Sequence, residues 1–325
     1  MLNSPIMRLH NQLSKTSLLL GGLSVLLSGC ETAIDVPEPE HTPRVAVSYV
    51  LDNMPGTDHD YRQFFQDREP YVSVSQRLYD TRPLQGRADA TVEVRDASGA
   101  VVERYEHFNS GPFNQGQYRG LLGYTFQPGQ RYQLRVAVPG VETAESELTL
   151  PQPVPVAEAT LTPRGSNPNF PDEKRARLTV SFDDPAGGAD YYLVYARLLD
   201  DQGRIIGSLQ HYEGDETVSV PRIRLSQSGN YGTVPFSDSG YEGRRITLIN
   251  EVRYYDNPMS NVRPAAVEVI VSHVTRDLYL FYNSRTVYQD SDGNPFSEPT
   301  PLHSNVNAGF GIFGGAADAV FRIPL

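Results

Sequence analysis

Apolar and polar residues alternate with a period of two at 44–50 (Arg-Val-Ala-Val-Ser-Tyr-Val), 71–75 (Tyr-Val-Ser-Val-Ser) and 91–95 (Thr-Val-Glu-Val-Arg). That period puts every second side chain on one face of a strand, so each stretch is predicted to bury one face. Asp96-Ala-Ser-Gly99 separates 91–95 from 101–105 and predicts a hairpin. After a short segment at 116–118, residues 124–138 predict two strands folded at Pro128-Gly129, with Tyr132, Leu134, Val136 and Val138 on one face. A closing strand follows at 141–150, and Pro151, Pro153 and Pro155 then interrupt the pattern. Beyond them, strands are predicted at 176–182, 191–199, 205–211, 217–224, 246–255 and 265–274. One helix is predicted, capped by Thr275, with Asp277 in its first turn and Leu278, Phe281, Tyr282 and Arg285 on one stripe that ends near Tyr288. The expected fold is mainly β: an immunoglobulin-like or prealbumin-like β-sandwich over 44–152, then a second β-rich domain over 153–325 with one helix near the C-terminus and a Gly-rich final segment.

The first residues read differently. Arg8 and Lys15 precede an apolar run at 18–27, too short for the ~20 residues that cross a membrane. Small residues follow it, as in a secretory signal. Leu27-Ser28-Gly29-Cys30 resembles the bacterial lipobox, in which a diacylglycerol is attached to the Cys thiol and the peptidase cuts just before it. Residues 1–29 are therefore expected to be a lipoprotein signal peptide, and Cys30 the lipidated first residue of the mature chain. Residues 30–43, with Pro37, Pro39, Pro43 and the acids Glu31, Asp35, Glu38 and Glu40, read as a tether. At ~3.1 Å per residue it reaches roughly 40 Å.

Composition narrows the function classes. The chain of 325 residues carries a net charge of −11, and losing Arg8 and Lys15 with the signal would take it to −13. Such a body has no basic footprint for nucleic acid or an anionic bilayer. A single Cys excludes an intrachain disulfide or dithiol pair. The 27 Gly and 25 Pro residues fit short strands joined by many turns. Arg outnumbers Lys, and Lys174 is the one lysine outside the first 29 residues.

Few catalytic patterns are present. Gly309-Phe-Gly311-Ile-Phe-Gly314 matches G-x-G-x-x-G, but the chain ends eleven residues later, leaving no βαβ unit, so a strand or turn with close backbone approach is the better account. The seven histidines show neither an i, i+4 pair nor H-E-x-x-H. No G-x-S-x-G occurs. Asp183-Asp184-Pro185 reads as turn chemistry rather than a glycosidase carboxylate pair. Asp290-Ser-Asp292-Gly293-Asn294 begins like a calcium loop, yet its twelfth position is Pro301. Whether it binds calcium is left open. Tyr191, Tyr192, Tyr195, Tyr254 and Tyr255 are read as core and rim rather than as a glycan platform. No cofactor, metal or enzymatic activity is expected.

Several passages together resemble one family, the Bacteroidota envelope lipoproteins catalogued as domain of unknown function 4249. They are the lipobox, the Tyr124-x-x-x-Pro128-Gly129-x-x-Tyr132 hairpin, Asp183-Asp184-Pro185 with Asp190-Tyr191-Tyr192, and Phe236-Ser-Asp238-Ser-Gly-Tyr-Glu-Gly243. Most specific is the C-terminal pair, Asn294-Pro295-Phe296-Ser297-Glu298-Pro299 and then Ser304-Asn305 through Gly309, Gly311, Phe313 and Gly314. A longer Arg- and Asp-rich excursion at 52–69 departs from the likeness. The resemblance implies an outer-membrane lipoprotein, periplasmic or surface-facing, that accompanies a TonB-dependent transporter as an accessory or ligand-capture subunit. An adhesin or glycan-binding module, and a hydrolase with an unfamiliar site, remain the alternatives.

Overall fold

The computed structural model describes residues 38–77, 79–108, 115–211, 223–227, 232–291 and 301–325. Cys30 and the lipobox, Asn294 to Pro299, and the calcium-like loop beyond Ser291 lie outside them. His41–Leu325 forms one compact unit, mainly β.

Its centre is a seven-stranded sheet in the order β11-β10-β15-β16-β1-β2, with β13 beside β10. The strands are β1 (Val45–Asp52), β2 (Tyr71–Val74), β10 (Tyr191–Leu199), β11 (Ile205–Ser208), β13 (Phe236–Ser237), β15 (Ala266–Val274) and β16 (Gly309–Pro324). All pairings are antiparallel except β1 with β16, which run parallel from Val45↔Gly309 to Asp52↔Ala316. Two smaller sheets cover one face of this sheet. The first is β5-β4-β3-β6-β7, from β3 (Thr91–Asp96), β4 (Val101–His107), β5 (Tyr118–Gly120), β6 (Arg131–Ala137) and β7 (Ala144–Thr149). The second is β12-β14-β9-β8, from β8 (Val156–Asn167), β9 (Phe170–Asp183), β12 (Gln210–His211) and β14 (Arg245–Tyr255). Two helices, α1 (His59–Phe65) and α2 (Arg276–Ser291), cover the other face.

This layering explains the residue patterns. β10 reads Tyr-Tyr-Leu-Val-Tyr-Ala-Arg-Leu-Leu because it is covered on both faces: Tyr192, Val194, Ala196 and Leu198 meet the β9 and β14 core, while Leu193 and Tyr195 meet the helices. β6 and β14 lie in outer sheets with one wet face, and they alternate accordingly. β16 runs beneath both outer sheets. Phe313 packs into the first core and Phe321 and Ile323 into the second, with Ile312 and Ala316 turned toward the helices.

The two halves divided at 152 share the central sheet, since β1 and β2 come from the first and the other five strands from the second. An immunoglobulin-like sandwich is not confirmed: the sheet from 91–149 packs on β1, β2 and β16. The predicted hairpin at Pro128-Gly129 also differs, because residues 124–127 are not a strand and β6 pairs with β3 and β7. The Tyr132 hydroxyl instead closes that turn, accepting the Gln127 N–H at 2.8 Å. The strand expected at 205–211 is split between layers, β11 joining β10 and β12 joining β14. Of the strand expected at 217–224, residues 217–222 lie outside the described set and 223–224 are not in a strand.

Candidate functional site

The Asp- and Arg-rich excursion at 52–69 builds a polar, buried region on the helix-covered face. Asp58 caps α1 by accepting the Tyr61 N–H at 3.0 Å, and Gln66 ends it in the left-handed region at φ 66°. Tyr61, Arg62 and Phe65 face the sheet. All five N–H groups of Arg62 are used: Nε and Nη2 reach Asp52 at 3.2 and 3.1 Å, and the rest bond the carbonyls of Met54, Pro55 and Gly56 at 2.9–3.1 Å. Arg68 lies over the Phe65 ring, 4.5 Å from its centre, and sits 3.3 Å from Asp318 on β16. Tyr61 donates to the same carboxylate at 2.8 Å. Farther along the face, Glu268 accepts from Arg197 at 2.8 Å and from Arg322 at 2.7 Å. Charge pairing of this kind fixes a short helix on a sheet.

Beside α1 a cleft of about 700 Å³ opens between the two helices and the β2 edge. Ser48 and Val50 of β1, Tyr71 of β2 and Ile312 of β16 lie in its wall. Gln63, Gln66, Asp67 and Glu69 form one side, and Phe281, Tyr282 and Arg285 of α2 another. Phe108 and Gln117 complete it. The fixed groups hold one another: Arg119 lies 3.7 Å over the Phe108 ring and bonds Glu69 at 3.2 Å, and Tyr282 donates its hydroxyl to Asp67. Burial pushes the Asp67 carboxyl above the usual carboxylate range, opposed by Arg68. A volume within the ~300–1,000 Å³ of ligand pockets, aromatic faces and both signs of charge suit a ligand of mixed polarity.

The described part of the C-terminal motif, Asn305 to Gly314, builds the sheet. Asn305 clamps Phe313, donating Nδ2–H to its carbonyl and accepting its N–H, both at 2.9 Å. Gly309 and Gly311 let β16 approach β1: a Cβ at Gly311, whose φ is +108°, would sit 1.9 Å from the Val47 carbonyl oxygen. Gly314 lies beneath Leu278 of α2. The G-x-G-x-x-G match thus falls inside a strand. The Thr275 hydroxyl, expected to cap α2, accepts from the Gly315 N–H at 3.1 Å instead. Of the tyrosines, Tyr192 and Tyr195 are buried, Tyr191 meets Tyr279 with ring centres 4.5 Å apart and planes tilted by 32°, and Tyr255 is exposed.

Two other quoted passages do converge. Among the described residues, carboxylate oxygens of Asp184, Asp190 and Asp238 lie within 4.8 Å of one another, the one such group of metal-type ligands. No ligand spacing in the sequence marks them, because they come from the loop before β10 and the turn before β14.

The family described as Domain of unknown function (DUF4249) matches residues 66–322. The chain belongs to this family. The match takes in β2 to β15 and β16 as far as residue 322, together with the C-terminal motif, both converging passages and α2, while β1 and α1 precede it. No curated protein matches the chain. Among the described residues no helix is long and apolar enough to cross a membrane.

Proposed function

We propose that this family member is a lipid-anchored protein of the outer membrane that captures a ligand for a TonB-dependent transporter and performs no chemistry on it. The cleft between α1, α2 and the β2 edge carries the binding half of this reading. Its walls are held by contacts within the protein, Arg62 with Asp52, Arg119 with Glu69 and Tyr282 with Asp67, and preorganisation of that kind lowers the ordering cost of binding. The Leu27-Ser28-Gly29-Cys30 pattern supports the anchor, since two or three acyl chains hold a protein firmly without an apolar patch on its surface. Two measurements test it. Labelled palmitate is expected to enter the wild-type chain and not Cys30→Ala, which should leave the membrane fraction; a Cys30→Ala chain that stays with membranes after a salt wash contradicts the anchor. Small molecules released from the purified chain and read by mass spectrometry should include one that is lost from Phe281→Ala and Arg285→Ala. Identical profiles contradict the cleft.

A second reading, a glycan-binding or adhesive module, draws on the exposed rings of Phe170 and Tyr255 on the outer four-stranded sheet. It predicts polysaccharide binding that Tyr255→Ala weakens and Arg285→Ala does not.

A further inference from the structure

The loop at 184–190, between β9 and β10, and the turn at 238–244, between β13 and β14, interlock through backbone and carboxylate contacts. Asp184 accepts the Tyr192 hydroxyl at 2.6 Å on one oxygen and the Gly243 N–H at 2.8 Å on the other. Asp190 accepts from His273 at 2.9 Å, and its carbonyl takes the Asp238 N–H at 3.0 Å. Glu242 accepts the N–H groups of Gly187 and Gly188 at 2.7 and 3.1 Å.

Asp238 breaks the pattern. It is only 4 % exposed, and its Oδ2 is buried without any hydrogen-bond donor. Its remaining neighbours are acceptors: Asp184 and Asp190, with oxygens inside the same 4.8 Å, and the Glu242 carboxylate. Buried acceptors facing acceptors need a positive charge or a proton between them.

We propose that Asp184, Asp190 and Asp238 bind a calcium ion that fastens the 184–190 loop to the turn before β14. The donors are all hard oxygens, which favour calcium or magnesium over zinc. Oxygens within 4.8 Å of one another can all reach one Ca²⁺ at ~2.4 Å, and Ca²⁺ accepts an irregular set of carboxylate ligands where Mg²⁺ demands near-octahedral geometry and keeps its waters. Each carboxylate oxygen has two lone pairs, so the bonds from Tyr192 and Gly243 leave Asp184 able to ligate. Three carboxylates against two positive charges leave one negative charge, and His273 stands beside Asp190 to receive it. Glu242, exposed at the rim, can enter as a fourth ligand.

The chain has no Trp, and the Tyr192 hydroxyl touches a ligand, so Tb³⁺ bound here should luminesce on tyrosine excitation. The experiment uses the full chain in detergent after EDTA treatment. Tb³⁺ should luminesce and be displaced by Ca²⁺ at lower concentration than by Mg²⁺, and Ca²⁺ at a hundredfold above its Kd should raise Tm by about 5 °C. Asp238→Asn, whose amide can donate to Glu242, should fold in EDTA at least as stably as wild type and lose both responses. A wild-type chain indifferent to Ca²⁺ overturns the proposal, and so does a tighter response to Mg²⁺. Responses kept by Asp238→Asn but lost in Asp292→Asn overturn it too, placing the ion in the 290–294 loop. Asp190→Asn serves as the second variant and should lose the luminescence.

Discussion

Replacing Gly311 by alanine tests the reading of the C-terminal glycines as the means by which β16 reaches β1. Two penalties combine there. An L-residue at φ +108° is strained, by about 1–2 kcal/mol. The new Cβ also sits 1.9 Å from the Val47 carbonyl oxygen, where an ordinary carbon–oxygen contact is ~3.3 Å. The strands would have to part locally by about 1.4 Å, against a normal spacing of ~4.8 Å, at the position where Val47 pairs with Gly311. Overpacking of a buried contact adds about 1–3 kcal/mol, giving about 2–5 kcal/mol in all. Gly99→Ala is the control: its φ is +86°, but nothing lies within 4 Å of the new Cβ, so it carries only the conformational part. Urea unfolding followed by far-ultraviolet circular dichroism measures both. The expected order is Gly311→Ala well below Gly99→Ala, with a gap of at least 1 kcal/mol. Equal losses would refute the close approach of β1 and β16.

Other substitutions probe the helix-covered face and the clamp. Arg68→Ala leaves the buried Asp318 carboxylate with Tyr61 as its side-chain donor and should destabilise the chain by about 3–5 kcal/mol in urea, the scale for breaking a buried pair. Asn305→Ala removes two bonds to Phe313 and orphans that residue's N–H, which should lower stability by about 1–3 kcal/mol. Asp67→Asn addresses pH. Because the folded carboxyl is raised above its unfolded value, the folded state holds more protons in between. Its contribution is therefore full below the unfolded pKa and is lost as pH rises through the folded one. The difference in unfolding free energy between wild type and Asp67→Asn should vary with that sign across this window, and a flat difference would count against the burial of Asp67.

The strands of the sheet layers were legible where one face is wet. In 91–95 and 132–138 alternation reports a half-buried surface directly. The parallel partnership of β1 with β16 was not, because it joins residues more than 260 positions apart and is enabled by glycines that carry no apolar signal. α1 was missed for another reason. With Asp60 and Arg62 inside seven residues, its stripe is interrupted by charge, and Arg62 sits on the buried face only because it is paired with Asp52. β8 is an outer strand with mostly exposed side chains, so periodicity had little to register. At the site, α2 supplied its stripe as expected, but the cleft depends on Gln63, Gln66 and Asp67 arriving from α1 and the turn after it. Likewise Asp184, Asp190 and Asp238 gather only once β10 brings β13 alongside, so the residues were visible and their meeting was not.

Partnership at the membrane is tested most directly by photo-crosslinking in native cells. The single lysine outside the first 29 residues, Lys174, makes amine-reactive reagents uninformative, so a photoreactive residue is placed at Gln66 on the cleft rim and, as control, at Gly99 on the far outer sheet. The account predicts a discrete adduct of the Gln66 chain with an outer-membrane transporter, reduced by ligand and absent from the Gly99 chain and from Cys30→Ala. Recovery of the Gln66 chain without any transporter adduct, under every growth condition that expresses it, would contradict the account.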